Sequence, residues 1–249
     1  MFYSSFVFSQ KNIDDLDEIM LDQIKNIDSI IEIEPTADNF FFKGEFEYNL
    51  HKYNDALEMF NKAIDLNSNQ SDYFYWRGIT YDKLNQNENA ISDFNICIKL
   101  NIENKKVFFR RAFSKTKLND LKGALEDYSF YIKLNPKNIS AYINRGLINF
   151  KLNLFKESLF DFDKALELES NNIEALENRA ISRAMLNRKD AIDDFNKIVL
   201  LKPNIADSYF NRAIYYINFK IKGDFCSDLK KAISLGLNQA KEVLSINCK

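Results

Sequence analysis

The sequence predicts an all-α, solenoid-like array of antiparallel helix pairs, and three observations carry that expectation. Leu50, Leu84, Leu118, Leu152 and Leu186 stand at a constant interval of 34 residues. Small residues keep the same period (Gly44, Gly78, Ala112 and Gly146; Ala56, Ala90, Ala124 and Ser158), and so do the rings Phe60, Phe94, Tyr128 and Phe162. The 249-residue chain has only six Gly and three Pro against 46% hydrophobic residues, a composition suited to packed helices and not to linkers. Self-similarity at a fixed period of a few tens of residues is the signature of a repeat architecture.

The N-terminal stretch 1–12 is apolar and aromatic up to Gln10. Val7-Phe8-Ser9 is similar to the tail of a secretory signal, but a basic leader and a long apolar core are missing. The expectation is a flexible N-terminus or the remnant of such a signal. Over 13–34, Ile13, Leu16, Met20, Ile24, Ile27, Ile30 and Ile31 recur at spacings of three and four, which predicts a helix closed by Pro35. It does not match the repeat and is expected to cover the open end of the array.

Six units follow, at 37–70, 71–104, 105–138, 139–172, 173–205 and 206–236, with one residue lost between Leu186 and Ala191. The common pattern has a first helix with a large apolar residue and then Gly or Ala four positions on, and a second with Ala or Ser and then a ring. Small residues let two backbones approach while the large ones interlock. Asn85, Asn119, Asn153 and Asn187 directly follow the periodic leucines, where a helix closes with a left-handed residue that Asn tolerates. His51, the single histidine, takes the same slot and reads as a turn residue. In the last stretch, 237–249, Ala240, Val243, Leu244 and Ile246 form the apolar stripe of a capping helix.

Charge narrows the function. The 34 basic and 36 acidic residues are mixed, the net charge is −2, and no Lys/Arg cluster offers the basic face that phosphate binding needs. No apolar run has the length of a bilayer span. There is no Gly-rich phosphate loop, no second His and no carboxylate pair in a shared pocket, so neither a catalytic set nor a metal or cofactor is expected. Two polar ladders remain. Arg77, Arg111, Arg145, Arg179 and Arg212 recur on the first helices, and Asp93, Asp127, Asp161, Asp194 and Asp228 on the second; the first unit has Lys43 and Met59 instead. Present together and absent together, they predict ion pairs stitching the helices, because a half-buried guanidinium demands a carboxylate. The alternative is a row of arginines that reads an acidic ligand.

This unit resembles the tetratricopeptide repeat. Phe74, Gly78, Tyr81, Ala90 and Phe94 match that family's pattern, as do Ala63, Ala165, Pro136 and Pro203, while Arg before Gly and Phe225 depart from it. The resemblance implies a right-handed solenoid with terminal capping helices and a non-catalytic role: a concave face, lined by first helices, that binds a peptide or helical segment of a protein partner. Its slots fall on Phe41, Glu45, Tyr48, Tyr75, Ile79, Phe109, Phe113, Ile143, Leu147, Phe150, Ile181, Met185, Phe210 and Ile214. This lining is largely apolar, and Phe41 and Glu45 stand where the family's carboxylate clamp would begin, so no such clamp is expected. A self-assembling solenoid and, further behind, an RNA-reading helical array are the other readings; a monomer is expected, with no nucleic-acid partner.

Cys97 sits where Ala is usual on a second helix and is expected in the core. Cys226 and Cys248 are either free thiols or, if the cap runs antiparallel to the last second helix, a disulfide that implies an oxidising compartment. A cytoplasmic location leads on this reading, with the periplasm or export as the alternative.

Overall fold

The computed structural model describes residues 23–101 and 103–248. The expectation for 1–12 and the first half of that for 13–34 lie outside the described residues. A first helix, α1, is described over 23–33. It is followed by α2 (Ala37–Asn49), α3 (Tyr53–Leu66), α4 (Ser71–Lys83), α5 (Asn87–Lys99), α6 (Lys106–Lys117), α7 (Leu121–Leu134) and α8 (Ile139–Lys151). Then come α9 (Phe155–Leu168), α10 (Ile173–Met185), α11 (Ala191–Leu201), α12 (Ala206–Asn218), α13 (Phe225–Ser234) and α14 (Ala240–Asn247). Each of the six expected units holds one helix pair, from α2–α3 to α12–α13, and α14 lies in the stretch expected to cap them. The described residues contain no strand and no helix long and apolar enough to cross a membrane. The fold is all-α, a solenoid of helix pairs.

The chain forms two compact units, Met1–Asp127 and Tyr128–Lys249, with the boundary inside α7. In the first unit the periodic glycines explain how close the helices of a pair come. A Cβ on Gly44 would stand 2.6 Å from Phe60 Cε1, and one on Gly78 2.7 Å from Phe94 Cε1. Each ring fills the space that the missing side chain leaves, and Ala56, Phe60, Ala63, Ala90, Phe94 and Cys97 are wholly buried. Sequestering one such phenylalanine is worth about 1.5–3 kcal/mol.

The second unit repeats the device: Gly146 packs on Phe162, with 2.9 Å between a notional Cβ and Cε1. At its C-terminal end Ala213, Leu229 and Ala232 form a cluster that is closed by Ala240, Val243 and Leu244 of α14. The turns obey the left-handed rule in both units: φ is 60° at His51, 58° at Asn85, 62° at Asn119, 60° at Asn153 and 55° at Asn187. Lys220, with φ 49°, holds the same slot after α12, and Asn101 closes α5 in the same way at 57°. Neither position stood out in the sequence. Thr36, Asn138, Asn172 and Asp224 cap α2, α8, α10 and α13 by accepting a backbone N–H.

Candidate functional site

The arginine and aspartate ladders meet. In the first unit Arg77 Nε and Nη2 donate to the two carboxylate oxygens of Asp93 at 2.8 and 2.7 Å. Arg111 does the same to Asp127 at 2.8 and 2.6 Å. In the second unit Arg145 grips Asp161, Arg179 grips Asp194 and Arg212 grips Asp228, each with Nη2 at 2.6 Å. The planar guanidinium matches a carboxylate edge to edge, the geometry that repays burial.

The sequence did not reveal what the third nitrogen does. Nη1 of each arginine reaches back to the second helix of the preceding pair: Asn61 and Asn95 in the first unit, Ser129, Asp163 and Asn196 in the second. A ring three residues earlier lies under the guanidinium in four of the five cases, at Phe74, Phe108, Tyr142 and Tyr209. Lys43, the substitute in the first pair, has no carboxylate at Met59 but bonds backwards to Asp28 of α1. So each arginine ties its own pair together and to the preceding second helix, whereas Lys43 ties only backwards. The aspartates are nearly sealed from water, Asp161 at 1% side-chain exposure, and the arginines only partly so, Arg145 at 18%. Burial pushes the Asp161 carboxyl above its ordinary value, and Arg145 and then Asn149 pull it back. Engaged on both sides, these arginines leave little capacity to read an acidic ligand.

An open groove of about 510 Å³ lies in the second unit between α10 and α12. Its buried lining is Phe195 of α11 and Tyr215 of α12, whose ring stacks on Phe219 with centroids 4.7 Å apart. Tyr215 is fixed from its far end, where the hydroxyl donates to the Arg188 carbonyl at 2.8 Å. Ile181 and Met185 from α10 and Ile214 from α12 complete the apolar part, and Ile181 and Met185 remain 43% and 51% exposed. Glu177, Asn178, Asn211 and Asn218 give the polar part. Burial raises the Glu177 carboxyl above its ordinary value; Lys202 opposes, and Glu174 and Asp207 add to the rise.

Three of the expected lining residues, Ile181, Met185 and Ile214, thus share this groove. Others are placed differently. Tyr75 and Ile79 belong to the core around Phe94, each 7% exposed, and Ile143 is 4% exposed, so packing uses the surface that a ligand would need. Phe41 leans on Tyr73 and Phe60, and Tyr48 on Trp76 and Tyr53. Phe109, Phe113, Leu147 and Phe150 are half-buried; Lys117 lies over the Phe113 ring, and Phe150 packs on Phe155. Phe210 packs on the C-terminal cluster with Leu229. Phe195, Tyr215, Phe219 and Glu177 were missed. Glu177 had a signal: it takes the slot held by Phe41, Tyr75, Phe109, Ile143 and Phe210 in the other five pairs.

Cys97 is wholly buried, its thiol near the Ser71 carbonyl at 3.3 Å and its pKa pushed up to about 12 by burial. Cys226, at the start of α13, is bonded to Cys248, at the end of α14, across 22 residues of chain. Such a bridge fixes the closing helix over the cluster at Leu229.

The profile described as "Tetratricopeptide repeat" matches residues 71–103 and 139–172. No curated protein matches the chain. Among solved structures, the C-terminal part of a TPR repeat-containing protein from Cytophaga hutchinsonii is similar at TM-score 0.79 and 15% identity, over 94% of this chain and 98% of that one. YrrB, described as a TPR protein with an unusual peptide-binding site, is similar at TM-score 0.67 and 20% identity, over 75% of this chain and 97% of its own. A tetratricopeptide repeat protein from Parabacteroides merdae follows at TM-score 0.63 and 20% identity, over 96% and 97%. At these identities the likeness is one of fold.

Proposed function

Because this chain carries tetratricopeptide repeats, we propose that it is a non-catalytic scaffold that holds a peptide or helical segment of another protein in the groove between α10 and α12. The observation that carries this reading is the pair Ile181 and Met185, large apolar side chains left exposed in a concave site beside Ile214. Apolar anchors ringed by a few polar groups are what a peptide groove presents. The peptide-binding site described for YrrB supports the same role on the same fold.

The test is site-specific photocrosslinking in the native cells. A benzophenone side chain at Met185 is expected to trap a discrete protein partner, and the same probe at Leu200, exposed on α11, is not. Trapping that occurs only from Leu200, or that survives Ile181→Asp, would move the binding face elsewhere.

A bonded Cys226–Cys248 pair also favours an oxidising compartment over the reducing cytoplasm. The intact, non-reduced mass of the native protein decides between them: two hydrogens fewer than the reduced form supports this placement, and three free thiols would return the protein to the cytoplasm.

A further inference from the structure

The groove changes character along its length. α10 and α12 are first helices of successive pairs and run in the same direction, each antiparallel to α11. On α10 the groove is lined by Glu177, Asn178, Ile181, Ala184 and Met185, and on α12 by Asn211, Ile214, Tyr215 and Asn218; Glu174 and Asp207 stand about one turn before Glu177 and Asn211 on the same helices. Residues three and four apart share a helix face. α10 therefore passes from the carboxylates of Glu174 and Glu177, through Asn178, to Ile181 and Met185; α12 passes from Asp207 through Asn211 to Ile214, with the amide of Asn218 beyond. Glu174 and Asp207 stand in the first turns, and Glu177 one turn deeper.

Glu177 is the telling residue. In the other five pairs its slot holds Phe41, Tyr75, Phe109, Ile143 and Phe210, all apolar. A carboxylate half-buried in an apolar slot is costly unless something compensates it. Among the described residues Glu177 has neither an ion pair nor a hydrogen bond; the charge of Lys202 opposes the rise of its carboxyl, and those of Glu174 and Asp207 add to it. The other cations of α10 are taken: Arg179 is bonded to Asp163 and Asp194, and Arg183 to Asp190 and Asp194.

We infer that the ligand of this groove is a peptide with a Lys or Arg set apart from an apolar anchor, the cation meeting Glu177 and the anchor meeting Ile181, Met185 and Ile214. The inference rests on the proposed reading of the groove as the peptide site. Four residues separate Glu177 from Ile181 and eight separate it from Met185, so at about 1.5 Å per helical residue the two features stand about 6–12 Å apart. In an extended ligand that spans about two to four residues at roughly 3.3 Å each; in a helical ligand it spans one to two turns. A ligand with its acidic group at that end meets three carboxylates and is rejected.

The experiment pans the full-length protein against a displayed library of random dodecapeptides and measures binding of the enriched sequences by fluorescence anisotropy. The expected enrichment is Lys or Arg about two to four residues from Leu, Ile, Met or Phe in an extended ligand, or about four to eight in a helical one. Binding is expected to be lost with Met185→Asp and to weaken about tenfold with the isosteric Glu177→Gln, because the charge-assisted contact goes while the shape stays. Added salt is expected to weaken the native protein and to leave Glu177→Gln little changed. Circular dichroism of both variants checks that they fold. Peptides that need Met185 but lack a basic residue and ignore Glu177→Gln would overturn the inference and leave the groove reading standing. Enriched peptides indifferent to Met185→Asp, or no enrichment at all, would overturn both.

Discussion

Removing Arg145 tests how the helices are held. Its guanidinium makes two bonds to Asp161, at 3.0 and 2.6 Å, and one to Ser129 at 3.1 Å. Arg145→Ala leaves the Asp161 carboxylate, 1% exposed in the intact protein, with Asn149 as its remaining donor at 3.0 Å. An orphaned buried charge of this kind costs about 3–5 kcal/mol. Asp161→Ala is expected to cost less, about 2–3 kcal/mol, since Arg145 keeps Ser129 and reaches water through its exposed edge. Once one partner has gone, the second has little left to lose, so the double variant should fall short of the sum by about 1–3 kcal/mol. An array of repeats opens locally, so the assay is native-state hydrogen exchange read on α8 and α9.

The pH dependence has a definite sign. With Arg145 gone, the charge that held the Asp161 carboxyl down is lost and burial raises it further. A carboxyl raised in the folded state binds protons that the unfolded chain does not, so stability falls as pH rises through that window. Lowering pH from 7 towards the ordinary value of 3.8 should therefore recover part of the Arg145→Ala loss. Losses that add within about 0.5 kcal/mol would refute the pairing as the source of the stability.

Three further outcomes follow from the same physics. Gly146→Ala places a Cβ 2.9 Å from Phe162 and 3.2 Å from the Asp161 Cβ, and should destabilise by about 1–3 kcal/mol in thermal or urea unfolding; a neutral result would mean that the ring yields freely. Asn153→Ala forces a Cβ-bearing residue without a local hydrogen bond to hold φ 60°, costing about 1 kcal/mol, whereas Asn153→Gly should be neutral or better. Cys226→Ser opens a loop closed across 22 residues, and should cost about 3 kcal/mol, with faster exchange confined to α14 and the end of α13. Unchanged exchange in α14 would show that packing alone holds it.

Much of the fold was legible because one period governs it. Leu, Gly and the ring each recur at the same interval, and the left-handed asparagines mark where the turns fall. Lys220 escaped because lysine has no preference for that conformation; only its register pointed there. The Arg–Asp pairing was readable from the first helix pair, where Lys43 and Met59 replace both members at once. The backward bond was not, because its acceptor varies among Asn61, Asn95, Ser129, Asp163 and Asn196. The signal present was a small polar residue directly after each core ring.

The site was less legible. Transferring one set of slots to every pair treats the first helices as equivalent, but exposure depends on what the neighbouring helix contributes. Tyr75 and Ile79 are drawn into the core that Phe94 and Val107 complete, whereas Ile181 and Met185 stay open beside the small Ala184. Ala184 is the smallest residue in its register, which elsewhere holds Tyr48, Asp82, Thr116, Phe150 and Ile217.

A partner held as proposed, in the groove of α10 and α12, would shield those two first helices. Hydrogen–deuterium exchange of the protein with a library-selected peptide bound measures this most directly. Slowed exchange is expected over 174–185 and 207–218, with 155–168 unchanged. Protection confined to the second helices, over 155–168 and 191–201, would contradict it.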